Sequence, residues 1–168
     1  NEFMAWIKTL SRTIPYNPEN LCFEDDAIGF NSLRQKNVDA LCDRIDHWGK
    51  PDLVILDPAY MAVAGGLSKD EPASGFVRFT RALVEAFNCA MLIAHHTHRP
   101  TFHDGAIVVE EKPFYGSQWL DAHADVCYFV GSIPDKAGTV WKNTKSRAGE
   151  VAKHFQLIYH PETMISSM

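Results

Sequence analysis

The stretch Pro51-Asp52-Leu53-Val54-Ile55-Leu56-Asp57-Pro58 decides how this sequence folds. Four consecutive apolar residues between prolines, with no polar alternation, predict a short β-strand buried on both faces. Such strands occur in parallel sheets, whose faces are covered by crossover helices. The flanks supply them. Leu33, Val38, Leu41, Ile45 and Trp48 recur near the helical period and stop at Gly49-Lys50-Pro51, predicting a helix from Leu33 to Trp48. Phe76, Phe79, Leu83, Val84 and Phe87 predict a second helix between Ala73 and Asn88, and a second buried strand, Ala90 to Ala94, follows it. A weaker apolar strand, Leu21-Cys22-Phe23, precedes the first helix, and Phe3 to Leu10 reads as a short amphipathic helix. The resulting order of strand, helix, strand, helix, strand predicts a parallel sheet.

The last third changes character. Val126 to Val130, Thr139 to Lys142 and His154 to Tyr159 are short strand-like runs joined by turns such as Pro134-Asp135-Lys136-Ala137-Gly138, which predicts antiparallel strands. The fold class is therefore α/β, a mostly parallel sheet with antiparallel C-terminal strands, in one domain over residues 1–168. A composition of 46% hydrophobic and 22% charged residues excludes a disordered tail, a fibre and a disulfide scaffold. No apolar run approaches the roughly 20 residues that cross a bilayer, so no membrane partner is expected. Cys22, Cys42, Cys89 and Cys127 stand far apart beside apolar neighbours and read as buried thiols of a reducing, cytoplasmic compartment. With 16 Lys+Arg against 21 Asp+Glu the net charge is −5, so any nucleic-acid contact must come from a local basic patch.

In a parallel sheet, ligands bind beyond the carboxyl ends of the strands. Asp57 closes one predicted strand and His95-His96 close another. An aspartate there suits a Mg²⁺ ion that keeps waters in its shell, and equally suits a turn start before proline. A histidine there can donate a hydrogen bond to phosphate or simply sit at the sheet edge, and alternation lets only one of the two face a given site. His95, His96, His98 and His103 also lie close enough in sequence for a metal site, though no dense ligand spacing such as H-E-x-x-H is present. From Asp135 to Lys153 five basic residues meet two acidic ones, a local +3 that includes Lys145-Ser146-Arg147-Ala148-Gly149. Lys145 and Arg147, in a loop just after a strand, suit a polyphosphate as well as they suit a solvated hairpin tip. No stretch fits the phosphate loop G-x-x-x-x-G-K-[ST]; Gly65-Gly66-Leu67-Ser68-Lys69 lacks the spacing.

In this order, Asp57 after its apolar run, Ile93-Ala94-His95-His96, the segment Gly116 to Val126 and Lys145-Ser146-Arg147-Ala148-Gly149 resemble the RecA-like ATPase core of hexameric replicative helicases, of the DnaB and plasmid RepA types. The resemblance spans nearly the whole chain and implies a RecA-like three-layer sandwich that binds ATP and Mg²⁺. By that likeness Asp57 matches the Walker B aspartate that orients Mg²⁺, and His96, with His95 as the alternative, matches the sensor of the γ-phosphate. Lys145 and Arg147 match a basic finger pair that reaches a neighbouring subunit's ATP, which implies a homo-oligomer, of hexameric-ring type. Arg99, Lys112, Phe114 and Tyr115 fall where the family places its loop for single-stranded DNA, although Phe114, Tyr115 and Trp119 equally suit a core or an interface. The family's phosphate loop and catalytic glutamate precede the point where this chain starts. Together with the opening Asn1-Glu2-Phe3, without an initiator Met, that implies the C-terminal portion of a RecA-like ATPase domain.

The leading expectation is thus an ATP-dependent DNA helicase or replication- and recombination-associated motor of bacterial or phage type, with the Walker A part upstream. A non-catalytic RecA-like DNA-binding or recombination-mediator module is the alternative. A metal-dependent hydrolase using Asp57 with His95, His96, His98 and His103 is the third reading.

Overall fold

The computed structural model describes residues 17, 20–22, 31–64, 66–96, 101–103, 106–108, 118–133, 137–147, 149–151, 153–160 and 165–167. The chain divides into two compact units, one formed by residues 24–99 and 112–124, the other by 1–23, 100–111 and 125–168.

The first unit contains helix α1 (Gln35–Trp48), strand β1 (Leu53–Leu56), a 3-10 turn (Ala59–Ala62), helix α2 (Asp70–Phe87), strand β2 (Ala90–Ile93) and helix α3 (Gln118–His123). Helix α1 begins two residues later than its apolar period, because the Leu33 N–H donates to the Asn31 side-chain oxygen at 3.0 Å and holds the chain in a turn. Gly49, at φ +98°, ends it in a conformation that L side chains rarely adopt. Helix α2 starts three residues before the predicted Ala73. Asp70 and Glu71 in its first turn complement the exposed N–H groups, and Pro72 is tolerated there because its missing N–H would have no partner in the helix. Asn88, in the left-handed region, terminates it.

The core gathers on one stripe of α2. Ala73, Phe76, Phe79, Leu83 and Phe87 are buried at helical spacing against Ile45 of α1 and Ala59, Ala62, Val63 and Leu67 around the 3-10 turn. Phe76 and Leu83 are fully enclosed. Strands β1 and β2 pair in parallel, Leu53 opposite Ala90 through Leu56 opposite Ile93, as the helix-strand alternation requires. They are not buried on both faces. Val54, Leu56 and Met91 pack on the core, whereas Leu53, Ile55 and Leu92 are 49%, 61% and 55% exposed, because α1 and α2 meet the sheet on the Val54 side. Leu21 and Cys22 form no strand and are exposed. The predicted helix over Phe3 to Leu10 and residue Phe23 lie outside the described residues.

The second unit carries two antiparallel sheets. Strands β3 (Thr101–His103) and β4 (Ala106–Val108) pair where the sequence places a loop. Strands β5 (Val126–Ser132), β6 (Gly138–Ser146), β7 (His154–His160) and β8 (Ile165–Ser167) form a meander in that order. Along β5, Cys127, Phe129 and Gly131 are buried in strict alternation. Tyr128, Trp141 and Phe155 from three adjacent strands make a half-buried aromatic cluster; the Trp141 and Phe155 rings stack at 5.5 Å and Tyr128 meets each edge-on. All four cysteines are free, as expected, but only Cys89 and Cys127 are buried; Cys42 is half-buried. No helix among the described residues is long and apolar enough to cross a membrane.

Candidate functional site

Two backbone hydrogen bonds stitch the carboxyl ends of the parallel strands together. The Ala94 N–H donates to Leu56 O at 2.9 Å, and the Ala59 N–H returns to Ala94 O at 2.8 Å. Asp57 lies between Leu56 and Ala59, and Ala94 immediately precedes His95-His96. The structure therefore brings Asp57, His95 and His96 to one end of the sheet. Asp57 is exposed, directly after β1; His95 is half-buried and His96 exposed. The 3-10 turn carries the chain back so that the Tyr60 ring stacks on His96, centroids 5.1 Å apart and planes 28° from parallel. Tyr60 escapes sequence reading because nothing in Pro58-Ala59-Tyr60-Met61 distinguishes a ring folded back on a histidine from an ordinary turn residue.

One exposed carboxylate at a strand end fits a hard divalent cation that takes most of its shell from water and substrate oxygens rather than from a protein cage. Among the described residues no group of three or more His, Cys, Asp or Glu is gathered to hold a metal. His98 lies outside the described residues, and His103 is described only as backbone in β3.

Lys145 and Arg147 belong to the other unit. Lys145 is not in a loop: β6 extends through Ser146, which pairs with Val126, so the lysine stands within the strand, half-buried. Arg147 follows immediately, exposed, its N–H donating to Asp125 O at 2.7 Å. The Ser146 hydroxyl donates to Gly149 O at 2.7 Å, and Gly149, at φ +95°, turns the chain. Arg99, Lys112, Phe114 and Tyr115 lie outside the described residues. Trp119 is 42% exposed rather than core, and its ring stacks on His123 one helical turn later, at 5.4 Å.

Burial, and then the carboxylates of Asp39, Asp46 and Asp43, push the Cys42 thiol above its ordinary value. That leaves less of it as the reactive thiolate at a given pH.

The solved crystal structure of the RadB recombinase is similar to this chain, with a TM-score of 0.57 and 15% identity over 92% of this chain and 69% of that one. At that identity the likeness shows the fold, a RecA-like mixture of parallel and antiparallel strands with helices. No curated protein matches the sequence. A family model described as AAA domain matches residues 5–101, which include β1, Asp57, α2, β2 and both histidines. The chain belongs to that AAA domain family.

Proposed function

We propose that this chain is the C-terminal portion of a RecA-like ATPase domain, 1–168, from a motor acting on DNA in replication or recombination in the cytoplasm of a bacterial or phage-infected cell. The observation that carries this is the meeting of Asp57 with His95 and His96 at the carboxyl end of a parallel strand pair in a chain of the AAA domain family. Residues 1–168 contain no G-x-x-x-x-G-K-[ST] stretch, so on this reading they do not themselves supply the triphosphate cradle. Asp57 would hold Mg²⁺, which would supply neutralisation of the phosphate charge of ATP. His96 donates a hydrogen bond to the γ-phosphate and so distinguishes the nucleotide before and after hydrolysis. Lys145 and Arg147 of a neighbouring subunit neutralise the charge that builds up on the transferring phosphoryl group, which makes activity depend on a homo-oligomer, of hexameric-ring type. Single-stranded DNA is held by the segment with Arg99, Lys112, Phe114 and Tyr115, cations on the backbone and rings on the bases.

A role in recombination rather than unwinding is the second reading, by the likeness in fold to a recombinase. A non-catalytic DNA-binding module is the rival: a phosphate-loop motif in the coding sequence upstream of Asn1 removes it. In the full-length protein, Arg147→Ala lowers DNA-stimulated ATP hydrolysis about 10³-fold while nucleotide affinity stays within a few-fold. Undiminished turnover in Arg147→Ala would sink the finger assignment.

A further inference from the structure

Between β5 and β6 the register slips by one residue. Tyr128 stands opposite Asn143, but its neighbour Cys127 stands opposite Lys145, leaving Thr144 as an extra residue on β6. Directly opposed residues share a face of the sheet, and Cys127 and Tyr128 are on opposite faces. Lys145 is therefore on the face of Cys127 and not on that of Asn143, two residues before it, where strict alternation would put it. This is a β-bulge, a device that re-aims a side chain.

A bulge leaves carbonyls outside the regular ladder, and here one side chain collects them. The Asn143 amide nitrogen donates to Cys127 O at 3.0 Å and to Lys145 O at 2.8 Å, using both of its N–H bonds. The Thr144 hydroxyl approaches the same Cys127 carbonyl at 3.5 Å. From the other side, the Asn143 backbone N–H donates to Lys153 O at 2.7 Å, tying β6 to the residue just before β7. Beyond the bulge the ladder resumes with Ser146 opposite Val126 and the Arg147 N–H on Asp125 O. Asn143 thus links the two strands at the point where the facing of Lys145 is decided.

We propose that Asn143 is a positioning residue for the Lys145 and Arg147 pair: its amide locks the bulge that turns Lys145 onto the Cys127 face and sets the reach of Arg147. The role assigned to the pair rests on the proposed finger reading; the lock itself does not. Without the amide the strand relaxes toward a regular register, which returns Lys145 to the Trp141 face and displaces Arg147 by about one residue's rise, ~3.4 Å.

Two measurements on the full-length protein test this. The first reads register: cross-strand NMR contacts between Cys127 and Lys145, present in the wild type, give way to Cys127–Thr144 contacts in Asn143→Ala. Persistence of the Cys127–Lys145 contacts overturns the proposal. Should Asn143→Ala not fold, Asn143→Ser, which keeps one donor, is read for a partial shift of the same contacts, and an unshifted register there overturns it equally. The second reads catalysis. Asn143→Ala lowers kcat at least about tenfold with KM for ATP nearly unchanged, and adding Asn143→Ala to Lys145→Ala/Arg147→Ala slows that variant no further, because Asn143 acts through those two side chains. A further loss from Asn143→Ala in the Lys145→Ala/Arg147→Ala background overturns the positioning role. If Arg147→Ala itself turns over normally, the finger reading fails, and the register measurement still decides whether Asn143 locks the bulge.

Discussion

The two units hold their chemistry-bearing residues in place by different means. In the unit of residues 24–99 and 112–124, α2 lays Phe76, Phe79, Leu83 and Phe87 over one face of a parallel pair, and Asp57, His95 and His96 stand where the strands run out. Hydrogen bonds through Ala94 tie those ends together, so these residues are placed by where regular structure stops. In the other unit order comes from cross-strand pairing, with a cluster of Tyr128, Trp141 and Phe155 on one face and buried Cys127 and Phe129 on the other. Lys145 stands inside a strand, and an irregularity in the pairing sets its direction. A strand end presents a side chain by terminating; a strand interior needs a bulge to do so.

Three changes probe this contrast. Phe76→Ala removes a fully enclosed ring from the α2 stripe and costs about 3–5 kcal/mol. Amide exchange should speed up first in α2, β1 and β2. Equal loss of protection in β5 to β7 would break the distinction between the two cores.

A smaller effect is expected from a pair of glycine replacements. A Cβ on Gly138 would lie 2.6 Å from the Leu157 carbonyl oxygen and 3.3 Å from Ile133 and Ile158 side chains, all constrained by the sheet. Gly138→Ala should cost about 1–3 kcal/mol in denaturant unfolding. Gly75 in α2 looks similarly crowded, but what a Cβ meets is the far end of the exposed Leu33 side chain, which can swing aside. Gly75→Ala should therefore stay within about 1 kcal/mol of wild type, helped by the better helix propensity of alanine. Equal costs at both positions would mean that crowding by backbone and by a free side-chain end matter alike, contrary to the packing described.

The smallest effect is read in thiol chemistry. Exposed Cys22 should alkylate fastest, and Cys42 more slowly, because its raised pKa leaves less thiolate at a given pH. Raising the pH should narrow the gap between them. Cys89 and Cys127, both buried, should react only as their units open. Peptide mapping after timed alkylation gives the order.

How much of this was legible beforehand differs by element. Helices α1 and α2 announce themselves through apolar residues at helical spacing, but their first turns are polar or in a side-chain-stabilised turn and carry no such period, so their starts shift. Leu53 to Leu56 reads correctly as a strand. Four apolar residues in a row say nothing of how many faces are covered, and Ile55, at 61% exposure, shows one face left open. Strands β3 and β4 are three residues each, too short for a pattern to emerge. Asp57, His95, His96, Lys145 and Arg147 were singled out by residue type and order along the chain. Tyr60 and Asn143 were not, because their roles depend on what lies across a turn or a strand.

By itself, then, the sequence determined the alternation of helices and strands, the parallel pair and the residues that end it, since periodicity and apolar runs are local properties of the chain. Only the tertiary structure decided which face of that pair the helices cover, that Tyr60 folds onto His96, and that Lys145 turns away from Asn143. Each of those depends on a partner distant in sequence or on the register between strands, and a one-residue slip in register reverses the facing of a side chain without changing a single residue.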